Sequence, residues 1–360
     1  MKNTSVFALI IASTMPFGSH AAPNVSYLHT NEIALHNIVA IQHSTMLNTF
    51  GKFNAPHKKS PREIKDQEHE VTQDQSQYYG KMALYGIDED EEIVLSFAYD
   101  SADIDAPLPK MTWVDWQHSN DDAKFDHFSK IDARYDVISL GFSDTPEKID
   151  GGISGFAGFG GIIIANQNSG DVKLDETGEY LGLYRGYHMN GFTINMAANI
   201  GSMFSDAKSA YGKYDLTNLW AGAAIEASYD ILVGRSFVLR PGIYTGYTWI
   251  YSDGHDSVSG HDLSFDNFNA LELSPEISMI THISNGWFST MSARYVFNYT
   301  DGGKAHIAGT HISELDPMNY GEYGLAIGKG VEHFNVSASL NYRDGGRSGW
   351  SGGIQLRCLF

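Results

Sequence analysis

Apolar and polar residues alternate one for one along most of this 360-residue chain after Lys110. Phe192, Ile194, Met196, Ala198 and Ile200 are separated by Thr193, Asn195, Ala197, Asn199 and Gly201. The same pattern runs from Phe334 to Arg343 and, with glutamates and serines on the polar side, from Leu271 to Met279. Period-two alternation is the signature of a strand with two differently solvated faces. Stretches of this length exceed the five or six residues usual in globular sheets and match what a tilted strand needs to cross a bilayer. Twelve such segments are found near 110–117, 128–142, 152–166, 177–189, 191–203, 218–230, 236–250, 268–282, 286–300, 320–329, 333–343 and 349–360. The fold class expected is all-β: a closed antiparallel transmembrane β-barrel of about 12 strands, preceded by a helix and a flexible linker.

The connections support closure. Those after odd-numbered segments run long and polar, as in Phe204–Thr217, Tyr251–Asn267 and Asp301–Asn319, and those after even-numbered segments are tight. A sandwich has no reason to alternate in this way, whereas an outer-membrane barrel has long external loops and short periplasmic turns. Trp113, Trp116, Trp249, Tyr251, Trp287, Tyr299, Tyr342 and Trp350 stand near strand ends, where interfacial girdles form. Pro275 falls inside a segment and is read as a local bulge. Composition agrees: a mean hydropathy of −0.25 excludes a bundle of membrane helices. A formal charge of −19 argues against a nucleic-acid partner, and a single cysteine, Cys358, excludes a disulfide framework.

The N-terminal part is different in kind. A weakly basic start, the apolar stretch Val6–Phe17 and small residues at Ser19 and Ala21 read as a secretory signal, with cleavage expected after Ala21 or Ala22. Thr30–Phe50 reads as one helix capped by Thr30 and ended by Gly51. The stretch from Lys52 to Gln77 has almost no aliphatic residues and reads as a linker, and Tyr78–Tyr99 as a hairpin. The domains expected are a signal peptide over 1–21, a helix, linker and hairpin over 22–109 (a short passenger or plug), and the barrel over 110–360.

The chain closes on Gly352–Phe360, with Ile354, Leu356, Cys358 and Phe360 on one face and an aromatic as the last residue. With the tryptophan-bearing Met111–Val114, the segments Glu179–Tyr184, Leu239–Ile243 and Asn319–Leu325 complete the series. Over residues 110–360 the sequence resembles the bacterial autotransporter β-domains. That resemblance implies an outer-membrane location, a terminal Phe360 read by the barrel-assembly machinery, and a helix threading the pore. Thr30–Phe50 is the candidate for that helix, although the segment 52–109 separates it from the first strand. Family members usually export long passengers; here only Ala22–Pro109 precedes the barrel, so no separate passenger enzyme is expected. The partners expected are outer-membrane lipid, the assembly machinery and an extracellular ligand, with no nucleic acid.

Alternation turns Glu226, Arg240, Glu272, Glu276, Arg294 and Glu322 into the lumen, a polar network suited to holding the plug segment. No catalytic or metal site and no cofactor is expected. His69–Gln73 has glutamine where a zinc-protease helix needs its second histidine, and the loop from Asp253 to Asp266 reads as a soluble acidic loop. Two alternatives remain: a surface protease resembling the omptins, with Asp121–Asp122 and His255–Asp256 as candidates by residue type, and a small solute pore.

Overall fold

The computed structural model describes one helix, four residues of a short hairpin, and the chain from Lys110 to Phe360 apart from several connections (124–129, 150–151, 171, 210–211, 234–236, 255–262, 284–285, 308–309, 312–317 and 332–333). The helix, α1, runs from Val25 to Gly51. It starts before Thr30, which therefore lies within the helix and does not cap it. The hairpin pairs Tyr85 with Val94 and Gly86 with Ile93; the rest of Tyr78–Tyr99 lies outside the described residues.

Twelve long strands follow. They are β1 (Met111–Ala123), β2 (Ile131–Ser143), β3 (Gly152–Ser169), β4 (Val172–Met189), β5 (Phe192–Ser209) and β6 (Gly212–Tyr229). Then come β7 (Phe237–Gly254), β8 (Phe268–His282), β9 (Trp287–Gly302), β10 (Tyr320–Val331), β11 (Phe334–Gly345) and β12 (Arg347–Leu359). Each pairs antiparallel with the next, and β12 pairs with β1 in unbroken register from Arg347 opposite Ala123 to Leu359 opposite Met111. Reciprocal hydrogen bonds between Lys110 and Phe360, at 2.9 and 3.0 Å, extend that seam to the last residue. The sheet is thus a closed barrel with no free edge, the only sheet form whose backbone groups are all satisfied in lipid.

The end where β1 begins and β12 finishes is called the base, and the opposite end the rim. A base turn shows how tight the connections there are: β4 and β5 are joined by Asn190 and Gly191, both at positive φ (50° and 82°), the arrangement of a two-residue hairpin. At the rim the sequence expectation fails in part. Phe204–Thr217 is not a long loop, because β5 continues to Ser209 and β6 resumes at Gly212. β3 and β4 likewise run almost to their shared turn at Gly170. Past the apolar zone these strands keep their pairing but turn polar residues outward, such as Lys173, Asp175, Asp206 and Lys208, while Val172, Leu174, Ala207 and Leu216 point inward, so the outward apolar series no longer marks them. The β7–β8 and β9–β10 connections carry a small sheet of their own, in which Leu263–Phe265 pairs with Ala305–Ile307 and that segment with Thr310–His311.

Pro275 makes no bulge. It pairs with Ile243 in β7, and the register with β9 is the same on either side of it, with only the bridges at Ser274 and Pro275 missing. A proline lacks the N–H for that ladder, and two strong strands hold the register across the gap.

Outward positions form an apolar belt that includes Ile138, Leu140, Leu181, Ile200, Leu325 and Ile354, all exposed on the isolated chain. Trp116, Trp249, Tyr251, Trp287, Tyr299, Tyr342 and Trp350 also face outward. Trp113 does not belong with them: it is 2% exposed and points into the barrel. Its ring lies over Gly141 of β2, as Trp220 lies over Gly201 and Phe159 over Gly182. A Cβ placed on Gly201 would come within 2.2 Å of the Trp220 ring. The Gly201→Val variant is therefore expected to evict that ring, at a cost of about 1–3 kcal/mol for overpacking, read as a lower urea midpoint for barrel unfolding in detergent micelles.

A helix held in the barrel lumen

The inward faces of the barrel are not uniform. Strands β2–β7 turn large side chains inward, among them Tyr135, Ile163, Tyr184, Met203, Trp220 and Tyr244, all nearly or fully buried. Strands β9–β12 present mostly small or polar ones: Thr290, Ser292, Gly324, Ala326, Ser337 and Ser339. The large side chains pack around α1, whose Leu35, Ile38 and Met46 are at most 1% exposed. Ala34 sits near the rim with Leu174, Ala207 and Leu216, while Leu47 packs in the cluster that contains Met111 and Trp113 near the base. The helix therefore runs inside the barrel with its N-terminus toward the rim.

Four polar contacts tie α1 to strands distant in sequence. Asn37 donates to Glu176 at 3.0 Å, Ser44 donates to Gln117 at 2.6 Å, and His43 Nδ1 lies 3.0 Å from Glu272. Gln42 and Asn199 exchange two amide hydrogen bonds, both 2.8 Å. Glu176 also accepts from Gln167 and Ser205, so its buried carboxyl is surrounded by donors. The edge of His43 meets the Tyr244 ring at 4.9 Å. Burial of polar groups is tolerable only where they are paired, and these pairs exist only with the helix in one position and one rotation.

Beside the helix lies a chain of ion pairs. Arg343 donates to Asp121 at 2.6 Å and to Glu322 at 2.7 Å, and Arg347 donates to the same Asp121 oxygen at 2.8 Å. Arg294 continues the chain, 3.4 Å from Glu322 and 3.1 Å from Glu276, which accepts a short hydrogen bond from Ser278. Arg240 forms a bidentate pair with Asp230, at 2.5 and 2.9 Å, in the turn after β6. Removing one partner of such a buried pair leaves an uncompensated charge, which is far costlier than the pair's modest net stabilisation.

The six lumen residues named from the sequence are accounted for as follows. Glu276, Arg294 and Glu322 are linked, Glu272 meets His43 of the helix, and Arg240 meets Asp230. Glu226 lies 3.5 Å from the Asn195 amide nitrogen. Sequence reasoning missed Glu176, Asp230, Arg343, Arg347 and the helix partners. Asp121 and Arg343 share their strands' inward parity with Trp113 and Asn341, a signal already present in the alternation. Asp121 and Asp122 point to opposite faces, inward to the arginines and outward to Lys130, so they form no carboxylate pair. His255 and Asp256 lie outside the described residues, as do His69–Gln73. The Phe360 side chain is 67% exposed on the outer surface.

No protein-family model matches the chain, and no curated protein matches it. Solved structures do. The transport unit of the Escherichia coli autotransporter AIDA-I aligns over 73% of this chain and 94% of its own, at 15% identity and a TM-score of 0.58. The β-domain of the Bordetella autotransporter BrkA aligns over 70% and 99%, at 14% identity and 0.58. The translocator domain of NalP from Neisseria meningitidis aligns over 70% and 89%, at 10% identity and 0.59. The chain thus has the fold of an autotransporter β-domain, a twelve-stranded outer-membrane-type barrel.

The reciprocal Gln42–Asn199 pair gives the helix seat its test. Gln42→Ala strands both polar atoms of a buried amide, worth about 1–3 kcal/mol. Hydrogen exchange of α1 amides is expected to accelerate accordingly while the strands β4–β7 keep their protection.

Proposed function

We propose that this protein is an outer-membrane barrel of autotransporter type that holds its own N-terminal helix as a plug and presents the chain end before that helix at the cell surface. The observation that carries this reading is the seat of α1: a helix inside a closed barrel, N-terminus toward the rim, fixed by side chains from β1, β4, β5 and β8. A chain exported through a cleaved signal would begin only a few residues before Val25. With the rim outside, Val25 stands at the outer end of the lumen, and the chain leaves α1 at Gly51 and enters the wall at Lys110, both toward the base and the periplasmic side.

The remaining roles follow from this placement. The apolar belt meets outer-membrane lipid, the outward Phe360 on the closing strand is the residue for the assembly machinery to read, and the rim connections are the surface offered to an extracellular ligand. The lumen carboxylates of Glu176 and Glu272 hold the helix through Asn37 and His43, while the arginine ion pairs tie the wall beside it; no catalytic role is assigned to them. The protease alternative loses its main residue-type support, because Asp121 is held by two arginines and Asp122 faces away.

Orientation can be measured in a Cys358→Ser background with a membrane-impermeant maleimide. Asn24→Cys is expected to react on intact cells, and Lys58→Cys only after the outer membrane is permeabilised. The reverse pattern would overturn the display reading.

A further inference from the structure

One face of α1 meets the barrel wall only at separate points, through His43 to Glu272 and Ser44 to Gln117, and leaves space between them. His43, Ser44 and Leu47 border a cavity of about 290 Å³ that reaches from Glu322 and Arg343 down to Phe288 and Arg357 near the base. A second cavity of about 20 Å³ lies toward the rim, bordered by His36, Val39 and Ala40 of the helix and by Asn298, Tyr320 and Arg347. At 3.6 residues per turn, positions 36, 40, 43, 44 and 47 form one stripe. The two cavities therefore lie along a single seam between that stripe and strands β9–β12. The strands leave this space because their inward residues are small, and Ser339 is exposed to solvent although it points inward.

The seam is hydrophilic at both levels. In the larger cavity Arg294 Nη1, Gln117 Nε2 and His43 Nε2 are buried and have no protein hydrogen-bond partner among the described residues. In the smaller one the same holds for Arg347 Nη2 and Asn298 Oδ1. A space of this size with such groups suits water, which would satisfy them. Between the cavities stands one carboxylate. Asp121 binds Arg343, which faces the larger cavity, and Arg347, which faces the smaller. Glu322 backs the same layer through Arg343.

We propose that α1 closes the barrel incompletely and that this seam conducts small inorganic ions, with the Asp121–Arg343–Arg347 layer as its charge-selecting constriction. The large residues of β2–β7 hold the helix, and the small residues of β9–β12 keep a path open past it. The two guanidinium groups of the layer are balanced by the carboxylates of Asp121 and Glu322, which leaves little net field, so the intact seam discriminates weakly between cations and anions. Rings of fixed charge at a constriction set ion preference, so removing one sign from the layer must reveal the other. The inference depends on the helix lying in the lumen and not on the display role.

The test uses the purified full chain in planar bilayers under a potassium chloride gradient, with heat-modifiable migration confirming that each variant is folded. The wild type is expected to give a small steady conductance, well below that of the chain lacking residues 30–50. Asp121→Asn is expected to shift the reversal potential toward anion preference and Arg347→Gln toward cation preference. A change of one kT in the potential at the constriction acts oppositely on cations and anions and is about sevenfold in their permeability ratio. Glu322→Gln probes the same layer from its other side and replaces either variant that fails to fold, with a shift toward anions. Lys130→Gln, on the outer surface, is expected to change nothing. A silent wild type beside a conducting helix-deleted chain would show a sealed plug and overturn the seam, leaving the plugged barrel intact. A conducting wild type whose selectivity ignores the layer variants would place the path elsewhere and overturn the constriction.

Discussion

Closure of the sheet is the constraint from which everything else in this molecule follows. In lipid an unpaired backbone amide or carbonyl costs several kcal/mol, about the stabilisation of a whole small domain if two or three are left open. The pairing of β12 with β1, continued by Lys110 and Phe360, removes the last open edge. Closure has a second consequence: a twelve-stranded cylinder encloses more space than its own side chains fill. In an eight-stranded barrel side chains meet across the axis; here a gap is left, and the gap must be occupied by water or by chain. The helix α1 is the answer in chain, and the cavity beside it the answer in water.

Two kinds of inward residue divide the lumen between those answers. Where β2–β7 send in tyrosine, tryptophan, phenylalanine and isoleucine, the wall advances far enough to grip a helix. Where β9–β12 send in glycine, alanine and serine, it stays back. The aromatic rings fit because glycines on neighbouring strands accept them, as Gly141 accepts Trp113 and Gly201 accepts Trp220. The alternation in sequence is thus doing two jobs, one for each surface of the sheet. Its outward phase is uniform because lipid is uniform, and its inward phase varies because the contents of the lumen vary.

That difference explains what could be read in advance. The strands, their number, the tight base turns and the existence of the helix were legible, because each rests on a local periodicity that the chain repeats. The extension of β3–β6 beyond the apolar zone was not, since outside the membrane the outward face turns polar while Val172, Leu174, Ala207 and Leu216 make the inward face apolar, so the alternation changes phase while the pairing persists. Pro275 makes no bulge for a related reason: a single missing donor weakens one ladder position, but the register is set by the dozen pairs around it. Position near a strand end points Trp113 to the outer girdle, whereas its parity with Asp115 and Gln117 puts it inside. Contacts such as His43 with Glu272 could not be found from one chain, because nothing local relates a helix residue to a strand 229 positions later.

The character of those contacts bears on how a helix can be both held and passed. A helix anchored by a broad apolar face would be bound by a term that is proportional to area and indifferent to register, and sliding it by one turn would cost little. Asn37, Gln42, His43 and Ser44 bind by directional hydrogen bonds to four different strands, so a displaced helix would lose its partners together and leave buried carboxyl and amide groups unpaired. Their net contribution to stability is small, yet the penalty for the wrong position is large. Such a seat fixes α1 at a single depth without making the lumen so apolar that water is driven out. The polar lumen that water can enter and the helix that must not slip are therefore two demands satisfied by the same side chains.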